Sequence, residues 1–487
     1  MSHLPNPFAP GHLLEMEPWQ KIQARSVSGR YTRLRWAFVW LTQLAFYGLP
    51  WLSWAGRPAL LFDLEHRRFF VFGAVFFPQD MIWLTAMLIA SALLLFFVTT
   101  LVGRVWCGFA CPQTVYTELF SWIERRCEGD RLARQRLDAA PWGARKLLRR
   151  GGKHLAWGLL GLWTGLSLVG YFTPVRELLA ALPAGALGAW ELFWILFYGA
   201  ATYLHAGWLR EKVCQHACPY GRFQGAMLDS RTLNVAYDAA RGEPRGGRAR
   251  QADARALGLG SCVDCTLCVQ VCPVGIDIRA GFQAACINCG ACIDACDTVM
   301  DKTGQRRGLI RFASLEGLAQ ARPQPAAQSA KADKAEKAMQ RPGLWRPRAL
   351  VYGTLLLATV VALGVGLLQR PTLRMDAMRD RAVLSREVED GAIENTYQVL
   401  LLNARDGERP AALQVVADPA LPGLAVVSAQ RVALPAAGGQ MVLLRLRLPA
   451  EAAQRLRGRI LPVTLQARTL EPDSEAAHTR TTFVVPR

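Results

Sequence analysis

The chain has 487 residues, of which 52% are apolar, yet it carries a formal net charge of +19. Apolar runs long enough to cross hydrocarbon accompany that charge, which excludes a soluble nucleic-acid-binding protein. Together they point to a membrane protein whose basic loops stay on the cytoplasmic side, and the length calls for more than one domain.

Residues 1–35 form a polar lead with Lys21, Arg25, Arg30, Arg33 and Arg35. Five runs follow that read as transmembrane helices, at 36–54, 81–102, 155–172, 189–209 and 349–368, each near the ~20 residues a bilayer requires. Aromatic residues near their ends (Trp36, Trp51, Trp54, Trp106, Tyr171, Trp208) match an interfacial belt. The apolar run 69–77 is too short to span and reads as an interfacial or re-entrant piece. Lys and Arg are dense before the first span and between the second and third, and sparse in the alternate loops. The amino terminus is therefore expected in the cytoplasm and, after an odd number of spans, the carboxyl terminus in the periplasm of a bacterial inner membrane. The basic lead is long and no small-residue cleavage site follows the first span, which argues against a cleavable signal peptide.

Just after the second span the chain reads Cys107-Gly-Phe-Ala-Cys111-Pro, and just after the fourth Cys214-Gln-His-Ala-Cys218-Pro. Both are C-x-x-A-C-P behind the second helix of a hairpin, which suggests a duplicated two-span unit. On continuing helices the i, i+4 spacing sets both sulfurs of each pair on one face, and the proline marks a helix end or kink. Three roles are open to the pairs. They are soft ligands for Cu(I), zinc or iron–sulfur, a dithiol–disulfide couple, or small apolar residues in packing. His216 is a candidate fifth ligand, and Cys127 reads as an ordinary thiol. In span four, His205 is a candidate for proton or quinone contact, whereas Glu191 sits near the interface.

Eight of the thirteen cysteines fall between 262 and 296, as two C-x2-C-x2-C-x3-C sets. Three closely spaced thiolates wrap one face of a cubane while the fourth crosses to the other cluster. That pattern assigns Cys262, Cys265, Cys268 and Cys296 to one [4Fe–4S] cluster, and Cys286, Cys289, Cys292 and Cys272 to the second. Zinc ribbons use two C-x2-C pairs instead, and a disulfide framework does not fit metal-ligand spacing in a reducing compartment. Pro273 follows the first set, but Asp297 follows the second, which is expected to alter the turn after Cys296. No Gly-rich nucleotide fingerprint is present.

Residues 238–258, rich in Arg, Ala and Gly without hydrophobic periodicity, and 321–348, which mix Ala, Lys, Gln and Pro, read as linkers. Over 371–487 the pattern turns to short alternating segments at 397–402, 411–416, 423–427, 441–448, 460–465 and 481–485. Turn residues separate them, as in an immunoglobulin-like antiparallel sandwich, here without cysteine. The expected whole is a multi-domain membrane protein. It comprises an α-helical transmembrane bundle of five spans (four within 36–237), an α+β two-cluster ferredoxin at 238–320, a cytoplasmic linker, the fifth span and a periplasmic β-sandwich that docks a partner or caps the chain.

This order resembles the cytochrome c oxidase accessory protein family, called CcoG, FixG or RdxA, from the first span through the Asn-Thr-Tyr-Gln-Val-Leu segment at 395–400. The resemblance implies an inner-membrane polyferredoxin and cupric reductase, which makes Cu(I) for assembly of cbb3-type oxidases. The eight cysteines from Cys262 to Cys296 match the family's cluster ligands. Cys107, Cys111, Cys214 and Cys218 match its paired membrane-surface cysteines and become the expected catalytic, copper-holding thiols. Implied partners are a cytosolic electron donor, a copper transporter or chaperone and the oxidase assembly machinery, besides the lipid bilayer and without nucleic acid. Two rival readings are a quinol-linked membrane ferredoxin, which lacks counterparts of the fifth span and sandwich, and a scaffold whose clusters only sense redox state.

Overall fold

A computed structural model describes residues 22–249, 252–254, 256–320, 345–380, 385–416, 421–428, 430–470 and 474–487. Most of the predicted linker at 321–348 lies outside them. The chain divides into two compact units.

The first unit comprises Met1–Leu49, Thr85–Gly170 and Val175–Ala362. Its helices in chain order begin with α1 (Arg30–Gly48), α2 (Met81–Val102, which starts in the second unit), α3 (Val105–Phe109), α4 (Pro112–Glu128) and α5 (Arg131–Ala139). They continue with α6 (Ala144–Val169), α7 (Val175–Ala181), α8 (Ala189–Thr202) and α9 (Pro219–Met227). Among the described residues, three helices are long and apolar enough to cross a membrane, namely Pro78–Val102, Ala189–Leu209 and Pro347–Leu368. They present Ile82, Leu88, Phe193 and Leu357 outward, as lipid-facing surfaces do.

The predicted first and third spans form helices but do not reach that standard. The opening turns of α1 and α6 carry Arg30, Arg33 and Arg35, and Arg145, Lys146, Arg149, Arg150 and Lys153, which shortens the apolar stretch. α1 also stops at Gly48, because Pro50 cannot continue it, so the expected span to residue 54 overran into a 3-10 turn and a strand. Small residues seat α6 against α8, where a Cβ on Gly161 would stand 2.7 Å from the Gly199 carbonyl.

The ferredoxin belongs to this same unit. Its sheet pairs Asn234–Tyr237 with Ile310–Ala313, so it begins upstream of the expected boundary at 238. The predicted linker at 238–258 is partly tied down, since Arg248 donates to the Gly260 carbonyl at 2.9 Å and the Ser261 carbonyl at 3.1 Å, next to Cys262. The amino-terminal segment also docks on the ferredoxin. The Arg25 amide donates to the Gln270 carbonyl at 2.8 Å, and Asp294 accepts from the amides of Tyr31 and Thr32 at 3.1 and 2.7 Å, satisfying the open start of α1.

The second unit comprises Pro50–Leu84, Tyr171–Pro174 and Leu363–Arg487. One sheet runs Ala425–Val426, Gly438–Leu448, Ile393–Asn403, Leu373–Arg379, with Arg386–Glu387 added beside Ile393–Asn403. The other runs Arg431–Leu434, Arg409–Val416, Ile460–Thr469, Ala476–Val484. Alternation buries Tyr397, Val399 and Leu401 against Leu413, Leu465 and Phe483, and the Tyr397 hydroxyl donates across the sandwich to the Thr482 carbonyl at 3.0 Å. All six predicted strands are present, and Leu373–Arg379, Arg386–Glu387, Arg431–Leu434 and helix Ala450–Arg455 add to them. The run 69–77 is not re-entrant. It lies largely in a meander of Leu60–Asp63, Arg68–Val71 and Ala74–Phe76, and Phe70, Val75 and Phe77 pack on Leu402 and Ala437. Buried Asp80 is clamped by Arg370 and Arg374 at 2.5 and 2.6 Å.

Candidate functional site

The two four-cysteine loops share one backbone signature. Asp264 and Thr266 flank Cys265, Asn288 and Gly290 flank Cys289, and all four have positive φ. Left-handed residues beside αR neighbours turn successive N–H groups toward one point, a concavity suited to an anionic cluster. Asn and Gly tolerate that conformation, whereas β-branched Thr266 is held there under strain.

Packing crosses the two sets. Burial first, and then the neighbouring Cys268, Asp297, Cys262 and Cys265, pushes the Cys296 thiol up to about 12. Burial and Cys289 push Cys272 up to about 11. Cys272, Cys286, Cys289 and Cys292 line one pocket of about 370 Å³, walled by Val274, Ile276 and Ile287 and touched by Cys268. Such thiols become thiolates together only when a cation offsets their burial and repulsion, and the residues therefore fit a cluster held by this set and another by Cys262, Cys265, Cys268 and Cys296. The helix Ala291–Lys302 runs straight through Cys296 and Asp297, so the expected altered turn is absent. Asp297 instead accepts from the Gly308 amide at 2.9 Å.

The paired C-x-x-A-C-P thiols depart from the expected geometry. Cys107 lies in α3, but Cys111 is the extended N-cap of α4, with Pro112 at the first helical position. Cys214 lies in a π-helical turn, Val213–Ala217, and Cys218 is the extended N-cap of α9, ahead of Pro219. Proline forces the preceding residue out of the helical region and is well suited to start a helix. The motif thus joins two helices, and neither pair rides on a single helical face.

The fold nevertheless brings both pairs together. Cys107 is pushed up to about 12 by burial, then by Cys111, with smaller contributions from Cys214 and Cys218. Cys214 is pushed up to about 11 by burial, Cys111, Cys218 and Glu211. The same neighbourhood reaches the second cluster set. Burial lowers the pKa of Arg104, while Cys107, Cys286, Cys214 and Cys218 oppose that shift. Arg104 is anchored on the Gly221 carbonyl. The Cys107 thiol donates to Gln224 Oε1 at 3.0 Å, and the Nε2 of this fully buried glutamine and the Nε of Arg104 have no partner among the described residues. Among the described residues no three His, Cys, Asp or Glu side chains stand close enough to hold a single metal ion. That applies to the ferredoxin thiols too, since a polynuclear cluster needs wider sulfur spacing.

Residues outside the cysteine pattern set this approach. A Cβ on Gly108 would stand 2.6 Å from the Ile287 carbonyl oxygen and 2.9 Å from the Cys289 nitrogen, so only glycine lets α3 touch the cluster loop. Buried Asn288 donates to the Val102 carbonyl and to Asn234 at 3.3 and 3.1 Å, fixing that loop to the end of α2. The glycine beside Cys107 was the one signal in the sequence, and Arg104, Gln224 and Asn288 left none. His216 and the side chain of His205 are exposed. The His205 carbonyl accepts from Gln113 at 2.9 Å. Glu191 accepts from the Gly188 amide at 2.9 Å and caps α8, while Cys127 is a half-buried free thiol.

Two cubane-type cysteine sets beside a thiol-lined turn, in a chain with membrane-crossing helices, define a membrane-associated iron–sulfur electron-transfer protein. Family comparisons agree. Residues 209–315 match a 4Fe-4S dicluster domain, 84–128 a 4Fe-4S binding domain, and 363–486 the Ig-like fold at the C-terminus of FixG. The chain is 39% identical over 423 residues to the nitrogen fixation protein FixG of Rhizobium meliloti, covering 83% of this chain and 80% of that one. It is 39% identical over 402 residues to RdxA of Cereibacter sphaeroides, covering 80% and 81%. A ferredoxin-type methylamine utilization protein, MauN of Paracoccus denitrificans, is 28% identical over 191 residues, 38% of this chain and 54% of its own. The chain belongs to the FixG/RdxA family.

Proposed function

We propose that the chain takes electrons from a cytosolic donor and reduces Cu(II) to Cu(I) at its thiol face, for assembly of a cbb3-type cytochrome c oxidase. The observation that carries this reading is the nearness of Cys107, Cys214 and Cys218 to Arg104 and to Cys286 of the second cluster set, with Cys111 beside Cys107 and Cys214. When bound, the [4Fe–4S] clusters supply one-electron transfer, matching the single electron that Cu(II) accepts. Thiolates favour the soft cuprous product and reject hard cations. Burial keeps Cys107 and Cys214 protonated at neutral pH, so Cu(I)–thiolate bonds form with loss of protons to solvent, and Arg104 favours the resulting charge. The thiols do not stand together as a ready site for a single ion. Cu(I) capture at one pair followed by release suits a protein that passes its product on. The distribution of Lys and Arg supports a five-span inner-membrane topology with thiols and clusters in the cytoplasm and the sandwich in the periplasm, as a docking surface for the assembly machinery.

The test is anaerobic. The protein is reduced, Cu(II) is added, and cluster oxidation and Cu(I) formation are followed together, with the double variant Cys214→Ser/Cys218→Ser alongside. Copper reduction in step with cluster oxidation by the parent, and its loss in a variant with normal iron content, is the expected result. Clusters that stay reduced with Cu(II) but oxidise with a quinone would replace this reading with a quinol-linked carrier.

A further inference from the structure

A cleft open to solvent lies where the amino-terminal segment, α4 and the ferredoxin meet. Its wall includes Cys214, Val271 and Pro273 on either side of Cys272, and Ile287 and Ala291 of the second cysteine loop. It therefore touches both ends of the route proposed above. Its charge is the opposite of what a bare metal cation would choose. Arg25, Arg35, Arg125, Arg134 and Arg210 line it, against only two acids, Glu118 and Glu211.

Nearby acids pair with four of these arginines, and Asp130 and Asp294 also act on Arg134 and Arg35, which leaves Arg25 over. Glu118 is shared by Arg35 and Arg125, at 2.6 and 3.2 Å. Arg134 and Arg210 share Glu124, at 2.8 and 2.9 Å, while Lys153, 3.8 Å from the same carboxylate, is paired with Glu128 at 2.7 Å. Burial pushes the Glu211 carboxyl above its ordinary value, opposed by Arg210 and Lys212. Arg25 is exposed and pairs with no carboxylate among the described residues. Arg134, 3% exposed, has an Nε with no partner among the described residues. Guanidinium groups in excess, partly dehydrated and with a donor to spare, form a receptor for carboxylate or phosphate oxygens.

We propose that this cavity binds a small soluble oxyanion ligand, and, resting on the copper reading, that Cu(II) is delivered there as an anionic carboxylate chelate. The ligand carboxylates meet the arginines, which places the metal between Cys214 and the second cluster loop. One electron, drawn from the cytosolic donor through the iron–sulfur sets, would convert Cu(II) to Cu(I); the hard carboxylates then release the softer ion to the thiols, with loss of protons to solvent, and the free carboxylate ligand departs.

Citrate is the probe. Its binding to the iron-loaded protein is measured by calorimetry in neutral detergent and in nanodiscs of phosphatidylcholine or phosphatidylglycerol, for the parent, Arg25→Gln/Arg125→Gln and Arg25→Lys/Arg125→Lys, each checked for iron content. Saturable binding that weakens tenfold or more in the glutamine variant and is largely kept in the lysine variant is expected, equally in both nanodiscs. No saturable binding, or binding indifferent to the glutamine changes, overturns the site. Binding abolished by phosphatidylglycerol alone assigns the cavity to a lipid headgroup and overturns a soluble ligand. Reduction of Cu(II)–citrate and of neutral Cu(II)–bis(histidine) is compared in parallel. A raised KM in the glutamine variant for the citrate complex alone supports chelate delivery, and an equal change for both refutes it. Citrate binding with no reduction of either complex sinks the copper reading and leaves the anion site standing.

Discussion

Gly108→Ala is the smallest change that challenges the approach of the thiol turn to the second cluster loop. The added Cβ would fall 2.6 Å from the Ile287 carbonyl oxygen, about 0.8 Å inside ordinary contact, and 2.9 Å from the Cys289 Cα and nitrogen. All three are backbone atoms, so no side chain can swing aside. Alanine gains about 1 kcal/mol of intrinsic helix preference over glycine. Overpacking a buried contact typically costs about 1–3 kcal/mol, and here it is met by backbone, so the upper part of that range applies and the loss outweighs the gain. The expected variant is destabilised by about 1–2 kcal/mol. The strain should concentrate on the loop carrying Cys286 and Cys289. The assay pairs thermal unfolding with electron paramagnetic resonance of the reduced clusters, the signal of one cluster changing while the other holds. A variant with parent stability, unchanged spectra and unchanged copper reduction would refute the claim that this contact sets the geometry.

Other outcomes follow from single groups. Glu124 is fully buried; burial raises its pKa, but Arg210 and Arg134 outweigh that and hold it below the usual carboxylate value of 4.5. Its stabilising contribution is therefore present above pH 4.5 and lost as pH falls through its lower folded value. Glu124→Gln should cost about 3–5 kcal/mol by stranding buried cations and should flatten the acid limb of a pH–stability curve; an unchanged limb would count against it. Asp80→Asn should lower the unfolding temperature of the sandwich-bearing unit, with a cost near 3 kcal/mol for breaking a buried ion pair. Tyr397→Phe, which removes one cross-sheet hydrogen bond, should cost only about 1 kcal/mol in denaturant unfolding. Arg104→Gln should shift the potential of the second cluster to more negative values, because a positive charge beside Cys286 favours the reduced form; a potential unchanged in spectroelectrochemical titration would remove Arg104 from the site.

The amino-acid sequence by itself determined whatever is local in the chain. Cysteine spacing defines the two cluster sets, because ligands to one cubane face must come from one short loop. Alternation over 397–485 defines the sandwich strands, and unbroken hydropathy defines the helices Pro78–Val102 and Pro347–Leu368. Errors arose where a local pattern was stopped by a neighbour. Pro50 ended α1 early, and prolines 112 and 219 began helices instead of ending them. What only the tertiary structure decided is convergence. Cys107 and Cys214 stand more than a hundred positions apart, and nothing in either motif says that they meet around Arg104. That meeting depends on Gly108 and Asn288, whose value lies in the backbone atoms they touch across the fold. Charge tells the same story. The excess of Lys and Arg is visible in the composition, but the gathering of five arginines on one cavity wall is a property of packing, because burial alone decides which charges stay short of a partner.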